Sequence, residues 1–287
     1  MIKAEVVADS IGPSGVRLTT FVLTYPRFIH AEFMTHRMLS RNASSSRAIP
    51  VKRQIEMVVT EPVIPLAFTR NQKGMQGGEA LSGEAHDKAV EIWLKARDAM
   101  VMYANQLVEL EVHKQYANRL LEPFANITVV ATATDWDNFF ALRCDGQAQP
   151  EIHALADLMY DKRSASTPIR LGKNSWHLPF ISKEDLIETR EFCRANQGYG
   201  ITATLVKRSV AKCARVSYLN HDGTKSTIEQ DLQLYSRLVV AAPIHASPAE
   251  HQAKATDAKG YSGNFRGWKQ YRKTLKNENV TKFERKD

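Results

Sequence analysis

The chain has 287 residues, 43% of them hydrophobic, with 39 Lys and Arg against 31 Asp and Glu and three cysteines. A length of this order supports a core able to enclose a cofactor, and no apolar run approaches the roughly 20 residues that span a bilayer. Cys144, Cys193 and Cys213 are odd in number, far apart and without CxxC spacing, so neither a disulfide framework nor a structural zinc site is suggested.

The amino terminus, MIKAEVVADS, carries an acid where a signal peptide carries a basic start and an apolar stretch, so a cytoplasmic protein is expected. Two β-like segments, AEVVA and VRLTTFVLTY, flank GPSG and predict a hairpin. Pro26 suits the first turn of a helix through Phe28, Ile29, Phe33 and Met34, ending at the corner Thr35-His36-Arg37. A polar stretch of small residues follows. Residues 49–83 hold Pro50, Pro62 and Pro65 with little periodicity and read as a long loop or insertion, a class that often serves as a lid. A helix is predicted from about His86 to Val112, and another ends near Leu121 because Pro123 cannot continue it.

ITVVATAT is rich in β-branched residues, while TDWDNFFALR suits a helix capped by Thr134 or Asp135. Pro150 and Glu151 open PEIHALADLMYDK, Ser182 caps SKEDLIETREFCRAN, and Gly198 closes it. Further helices are expected over TLVKRSVAKCARVSY and IEQDLQLYSRLVVAA. Ten Lys and Arg against four Asp and Glu fall in residues 254–287, carrying most of the net charge of +8. This basic tail reads either as a solvated face or, with Tyr261, Phe265, Trp268 and Tyr271 interleaved, as a contact for phosphates or a nucleic-acid strand.

Chemistry concentrates in three places. THRMLSRNASSSRA, residues 35–48, combines three basic side chains with small hydroxyl and amide residues, a composition that suits an oxyanion but also an ordinary polar loop. In RLLEPF and NFFALRCDGQAQPEI, Arg143 follows an apolar run, so its guanidinium needs either a ligand or an internal partner such as Asp145 or Glu151, and Asn138 is placed to face a planar polar ligand. In CARVSY and IHASPAEH, the spacing of His245 and His251 does not match a metalloprotease pair, and Pro248 interrupts it, so a polar ligand contact or a surface histidine is favoured over metal. Cys144 beside Arg143 reads either as a nucleophile or as a buried structural thiol, with no base identifiable beside it.

Together these segments resemble the flavin-dependent thymidylate synthases, whose signature is Arg-His-Arg, seven residues, then Ser. Here it becomes Thr35-His36-Arg37, residues 38–44, then Ser45. NRLLEP is similar to the family's Arg-containing segment before a Leu-Pro, and NFFALRCDGQAQPEI to its Asn-x-x-x-x-Arg and Ala-Gln-x-Glu-Ile segment. CARVSY and IHASPAEH resemble blocks that the family places before the Arg-His-Arg motif, so the order here looks circularly permuted, which is admissible when chain ends lie together at the surface.

The resemblance implies one α/β (α+β) domain over 1–287, a mixed sheet with surrounding helices, in which 49–83 is an insertion and 254–287 a basic aromatic tail. It implies FAD contacts at His36, Arg37, Asn42, Asn138, Ser217, His245, Ser247 and Glu250. It implies a nucleotide loop at Ser45, Ser46 and Arg47, with Arg119 reaching the nucleotide and Arg143 polarising the pyrimidine. The implied reaction passes a one-carbon unit from methylenetetrahydrofolate to carbon 5 of deoxyuridylate, with NADPH as reductant, in a homotetramer whose sites lie between subunits. Membrane or nucleic-acid partners are not expected. Thr35, Ala43, Ala48 and Glu32 stand where the family usually has arginine, glutamate, tyrosine and glutamine. These changes keep open a methylase or hydroxymethylase of uridylate or cytidylate, and a catalytically silent nucleotide- or nucleic-acid-binding protein.

Overall fold

A computed structural model describes residues 1–216, 225–241, 243–282 and 285. The expected hairpin forms from β1 (Lys3–Ile11) and β2 (Arg17–Pro26). Its tight turn needs Gly15, whose φ of 78° lies in the left-handed region that side chains avoid. β2 continues through Pro26, so the predicted helix shrinks to a 3-10 turn at Arg27–Ile29 and one turn of α1 (His30–Phe33). The stretch after it holds a short edge strand, β3 (Ser40–Ala43).

The reading of 49–83 as loop is corrected over its first part, where α2 (Val51–Thr60) forms behind Pro50 as N-cap. Its buried residues, Gln54 and Val58, are one helical turn apart, and only Val58 is apolar, which is why no periodicity was visible. The rest of that stretch folds back on itself, with Thr69 bridged to Ala80. α3 (Gly83–Glu109) and α4 (Lys114–Ala117) follow, and a 3-10 segment at Asn118–Phe124 accommodates Pro123. ITVVATAT resolves as strand, β4 (Asn126–Ala133). α5 (Asp137–Arg143) is capped at Trp136, not at Thr134 or Asp135, because Thr134 Oγ1 donates to Asp135 and accepts from Arg266 N. α6 (Pro150–Ala165) starts at its proline, as expected.

β3, β4, β2, β1 and β5 (Ile169–Arg170) form a five-stranded mixed sheet in that order, antiparallel except for β1 with β5. Alternation along β2 and β4 gives each face its own core. Phe21, Leu23, Tyr25, Ile127, Val129 and Ala131 pack with Trp136, Phe139, Phe140, Ile152, Leu155 and Met159 of the α5–α6 region. The opposite face, with Val22 and Val130, meets Cys213 near the end of α8 (Ile201–Ala214). Before α8 come β6 (Trp176–His177) and α7 (Lys183–Ala195), the latter with a capping box at Ser182. α9 (Ile228–Tyr235) follows and runs into a π-helical turn at Ser236–Val240.

The last segment is not a tail. β7 (Ala253–Ala255), β8 (Tyr261–Ser262), β9 (Phe265–Arg266) and β10 (Trp268–Gln270) build small sheets, β7 pairing with β6 and β10. Phe265 and Trp268 are buried against Leu18 of β2, and Arg266 and Arg272 pair with Asp135 and Glu250. The aromatic residues alternating with the charges are therefore partly core. Among the described residues no helix is long and apolar enough to cross a membrane.

Candidate active site

Three hydrogen-bonded groups lie along the stretch from Glu32 to Arg47, which leaves α1, turns at His36 and runs through β3. The first joins that turn to the end of α5. Arg143, in the last turn of α5 where a cation is favoured by the helix dipole, donates from Nε to His36 Nε2 over 2.9 Å and from Nη1 to Glu32 Oε1. His36 stands edge-on to Phe139, with ring centroids 4.9 Å apart. Burial, then the Arg143 and Arg41 guanidiniums, push its pKa down to about 4, so it is neutral at pH 7 and its Nε2 is free to accept. The side chains of Arg143 and Glu32 keep 18% and 28% of their surface exposed, so the pair presents an outer edge. The partner of Arg143 is Glu32, not Asp145 or Glu151. Asp145 accepts from Gln147 N, and Glu151 accepts from Leu66 N and Gln149.

The second group is organised by β3. Arg41 donates from Nη1 to Met34 O (2.8 Å) and His36 O (2.9 Å), fixing the turn that carries His36. Asn42 donates from Nδ2 to Cys213 O over 2.8 Å and accepts from Ser247 Oγ over 3.0 Å. It thus joins the edge strand to α8 and to the 3-10 turn at Ser247–Glu250. Glu250 pairs with Arg272, and Gln270 Nε2 donates to Ser40 Oγ and Glu250 O, so the carboxy-terminal segment braces the same turn.

In the third group Glu122 collects three donors on Oε1: Ser46 Oγ at 2.7 Å, Arg119 Nη1 at 2.9 Å and Arg27 Nη2 at 3.0 Å. Burial raises its pKa, but the hydrogen bond from Ser46 and the two arginines outweigh this and hold it below the usual range. Asn118 Nδ2 donates to Ser46 O and Ile49 O and sets the loop.

The structure thus brings together His36 with Arg143, Asn42 with Ser247 and Glu250, and Ser46 with Arg119. Ser45 is half-buried and accepts from Arg47 N, while Arg37, Arg47, Asn138 and His245 are exposed. Ser217 lies outside the described residues. His251 is buried against Thr132, whereas His245 faces solvent, so they do not share a ligand position. Cys144 runs against the nucleophile reading, since burial and neighbouring Asp157 push its thiol up to about 11. Three residues escaped the sequence reading. Arg41 was one of three cations in a polar run with nothing to single it out. Glu122 was visible only as an acid before Pro123. Arg272 sat in what looked like a solvated tail.

A cavity of about 800 Å³ opens between residues 65–78 and 146–151, floored by Phe28 and Trp93, and neither His36 nor Arg143 lines it. Outside that cavity, Arg37, Asn138 and His245 are exposed polar residues, while Asn42 and Ser247 are held by hydrogen bonds to each other and, for Asn42, to Cys213 O. In donor chemistry the exposed guanidinium of Arg37 and the amide of Asn138 suit the polar edge of a flavin.

The five-stranded mixed sheet with its helices makes this an α/β fold, with the His36–Arg143 junction at its candidate site. Residues 16–169, more than half of the chain, match the family model described as thymidylate synthase complementing protein, and the chain belongs to this family of flavin-dependent methylases. Among solved structures it is similar to a UMP/dUMP methylase, PolB from Streptomyces cacaoi. With 5-Br UMP bound, that structure shows 17% identity and a TM-score of 0.46 over 56% of this chain and 87% of that one. With 5-Br dUMP bound, the figures are 18%, 0.44, 56% and 89%. No curated protein matches the chain.

Proposed function

We propose that the chain transfers a one-carbon unit to carbon 5 of a pyrimidine nucleoside monophosphate, with deoxyuridylate to thymidylate as the family reaction. Methylenetetrahydrofolate is the carbon donor, NADPH the reductant and FAD the bound redox group. The observation that supports this reading is the Arg143–His36 contact, which joins two segments 107 residues apart and leaves the Arg143 side chain partly exposed. FAD, when bound, supplies the redox and group-transfer chemistry.

The protein's own part is placement and charge. Arg143 binds the pyrimidine edge opposite carbon 5 and stabilises negative charge developing on the ring, an effect that strengthens as water is excluded. His36, neutral, accepts from Nε and fixes the guanidinium's rotation. Arg119, Ser46 and Arg47 serve the sugar and phosphate end, and Arg37, Asn138 and His245 the flavin. Ser217 belongs to that set by resemblance. The open outer side favours closure by a further copy of the chain, in a homotetramer.

The test is direct. Purified protein is incubated with deoxyuridylate, uridylate or deoxycytidylate, the folate and a reductant, and the nucleotide product is weighed. A methyl gain on any of them supports the reading, and the mass separates methyl from hydroxymethyl. A colourless protein that takes up no FAD and alters none of the nucleotides, yet retards single-stranded nucleic acid in a salt-dependent way, would replace it with the binding-protein reading.

A further inference from the structure

The outer edge of the Arg143–Glu32 pair has a definite hydrogen-bonding order. Nε is turned inward to His36 Nε2, and Glu32 takes one hydrogen of Nη1 through Oε1. Among the described residues Nη2 has no partner. A ligand set against these groups would meet, in order, a donor at Nη2, the second hydrogen of Nη1 and the Glu32 carboxylate as acceptor. Both side chains are partly exposed, so this edge is open to a ligand.

The two pyrimidines present different edges on the side opposite carbon 5. Cytosine offers O2 and N3 as adjacent acceptors, followed by the N4 amino donor. Uracil alternates: acceptor O2, donor N3–H, acceptor O4. A contiguous donor–donor–acceptor edge meets every group of cytosine with its complement. Against uracil in the same register it leaves two mismatches, a guanidinium hydrogen facing N3–H and the carboxylate facing O4. The charges agree with this. A carboxylate on the guanidinium cancels much of its field, which weakens the stabilisation of negative charge on a uracil carbonyl, while an amino group gains from an anionic acceptor.

We infer that Glu32 is a specificity-determining residue that makes this site select a 4-aminopyrimidine nucleotide, a cytidylate, over the 4-oxo uridylates. The inference rests on the proposed carbon-5 chemistry and leaves it intact, since carbon 5 lies on the ring edge away from the pair.

The experiment compares binding of dCMP and dUMP to the FAD-loaded protein by calorimetry, and product mass from each, for the parent and Glu32→Gln. The parent is expected to bind dCMP about tenfold or more tighter than dUMP, and the variant to lose or reverse that ratio. A third ligand needs no variant: N4,N4-dimethyl-dCMP lacks the N4 donor and should lose the advantage of dCMP. A parent that prefers dUMP, an unchanged ratio in Glu32→Gln, or undiminished binding of the dimethyl analogue overturns the role of Glu32. Conversion of dUMP alone leaves the carbon-5 reading standing without it. Failure to bind or convert either nucleotide ends both.

Discussion

Arg143 and His36 hold each other in a defined state: the guanidinium Nε donates to His36 Nε2 over 2.9 Å, which requires the imidazole to be unprotonated. Removing the guanidinium takes away the second-largest influence depressing the His36 pKa, after burial. Arg143→Ala is therefore expected to abolish turnover, to leave FAD bound, and to raise the His36 pKa measured by NMR titration from about 4 toward its ordinary value. Near-parental turnover, or an unmoved His36 titration, would show that this contact does not govern the site.

Glu122 competes for the residues expected to hold substrate. Its carboxylate ties Ser46, Arg119 and Arg27 together, so an incoming phosphate has to draw Arg119 away from an existing partner. Glu122→Gln keeps the shape and removes the charge. The expected outcome is tighter nucleotide binding, a several-fold fall in KM, with a stability loss of about 1 kcal/mol because the pair is partly solvated. Steady-state kinetics and urea unfolding check the two effects separately. An increased KM in Glu122→Gln would mean that the carboxylate orients Arg119 for the substrate.

Much of the framework was legible in the sequence, because it rests on local signals. GPSG between alternating segments produced the hairpin, Ser182 with Asp185 the capping box, and Pro150 with Glu151 the start of α6. What the sequence hid was decided by distant partners. α2 buries Gln54 and Val58 under elements that come later in the chain, and Trp268 finds Leu18 across 250 residues. In the site, the His36 and Arg143 segments were legible as motifs. That Arg143 would choose Glu32 over Asp145 or Glu151 was not, since Asp145 is taken up by the nearby Gln147 amide and Glu151 by the Leu66 amide, 85 residues away, and the Gln149 side chain.

His177 and His251 are buried in one chain of side-chain hydrogen bonds: Ser10 to His177, His177 to Thr20, Thr20 to Thr132, and Thr132 to His251. Burial pushes both pKa values down to about 3. Because the folded values lie below the unfolded value near 6.5, the unfolded chain binds the protons first. Stability is thus complete above about pH 6.5 and falls as the pH drops toward 3, by about 2 kcal/mol per histidine at pH 5. Urea midpoints at pH 7.5 and 5.0 should show this loss, and His177→Gln should lessen the pH dependence even while lowering stability at pH 7.5. A midpoint that does not move between these pH values contradicts the buried neutral state.

Arg208 lies on α8 with 1% of its side chain exposed and bonds Asp231 and Asp185, the first on α9 and the second on α7. A third contact, to Thr189 Oγ1, leaves the guanidinium well satisfied. Asp231 and Asp185 do not depend on it alone, since Arg215 and Ser226 also reach Asp231 and Lys212 reaches Asp185. Cutting the side chain to alanine removes the cation and opens a space, with an expected cost of about 3–5 kcal/mol. Arg208→Met fills most of the volume, leaves Asp231 and Asp185 each another cation and leaves its third acidic partner, Glu188, in solvent, so it should cost clearly less. The same helix carries Cys213, whose carbonyl holds Asn42 and through it the turn of Ser247 and Glu250. If α8 transmits the change, Arg208→Ala will lose FAD affinity together with stability, and Arg208→Met will retain most of both. Equal destabilisation by the two variants would show that α8 is held by the charge and not by packing, and unchanged FAD affinity in Arg208→Ala would separate this network from the site.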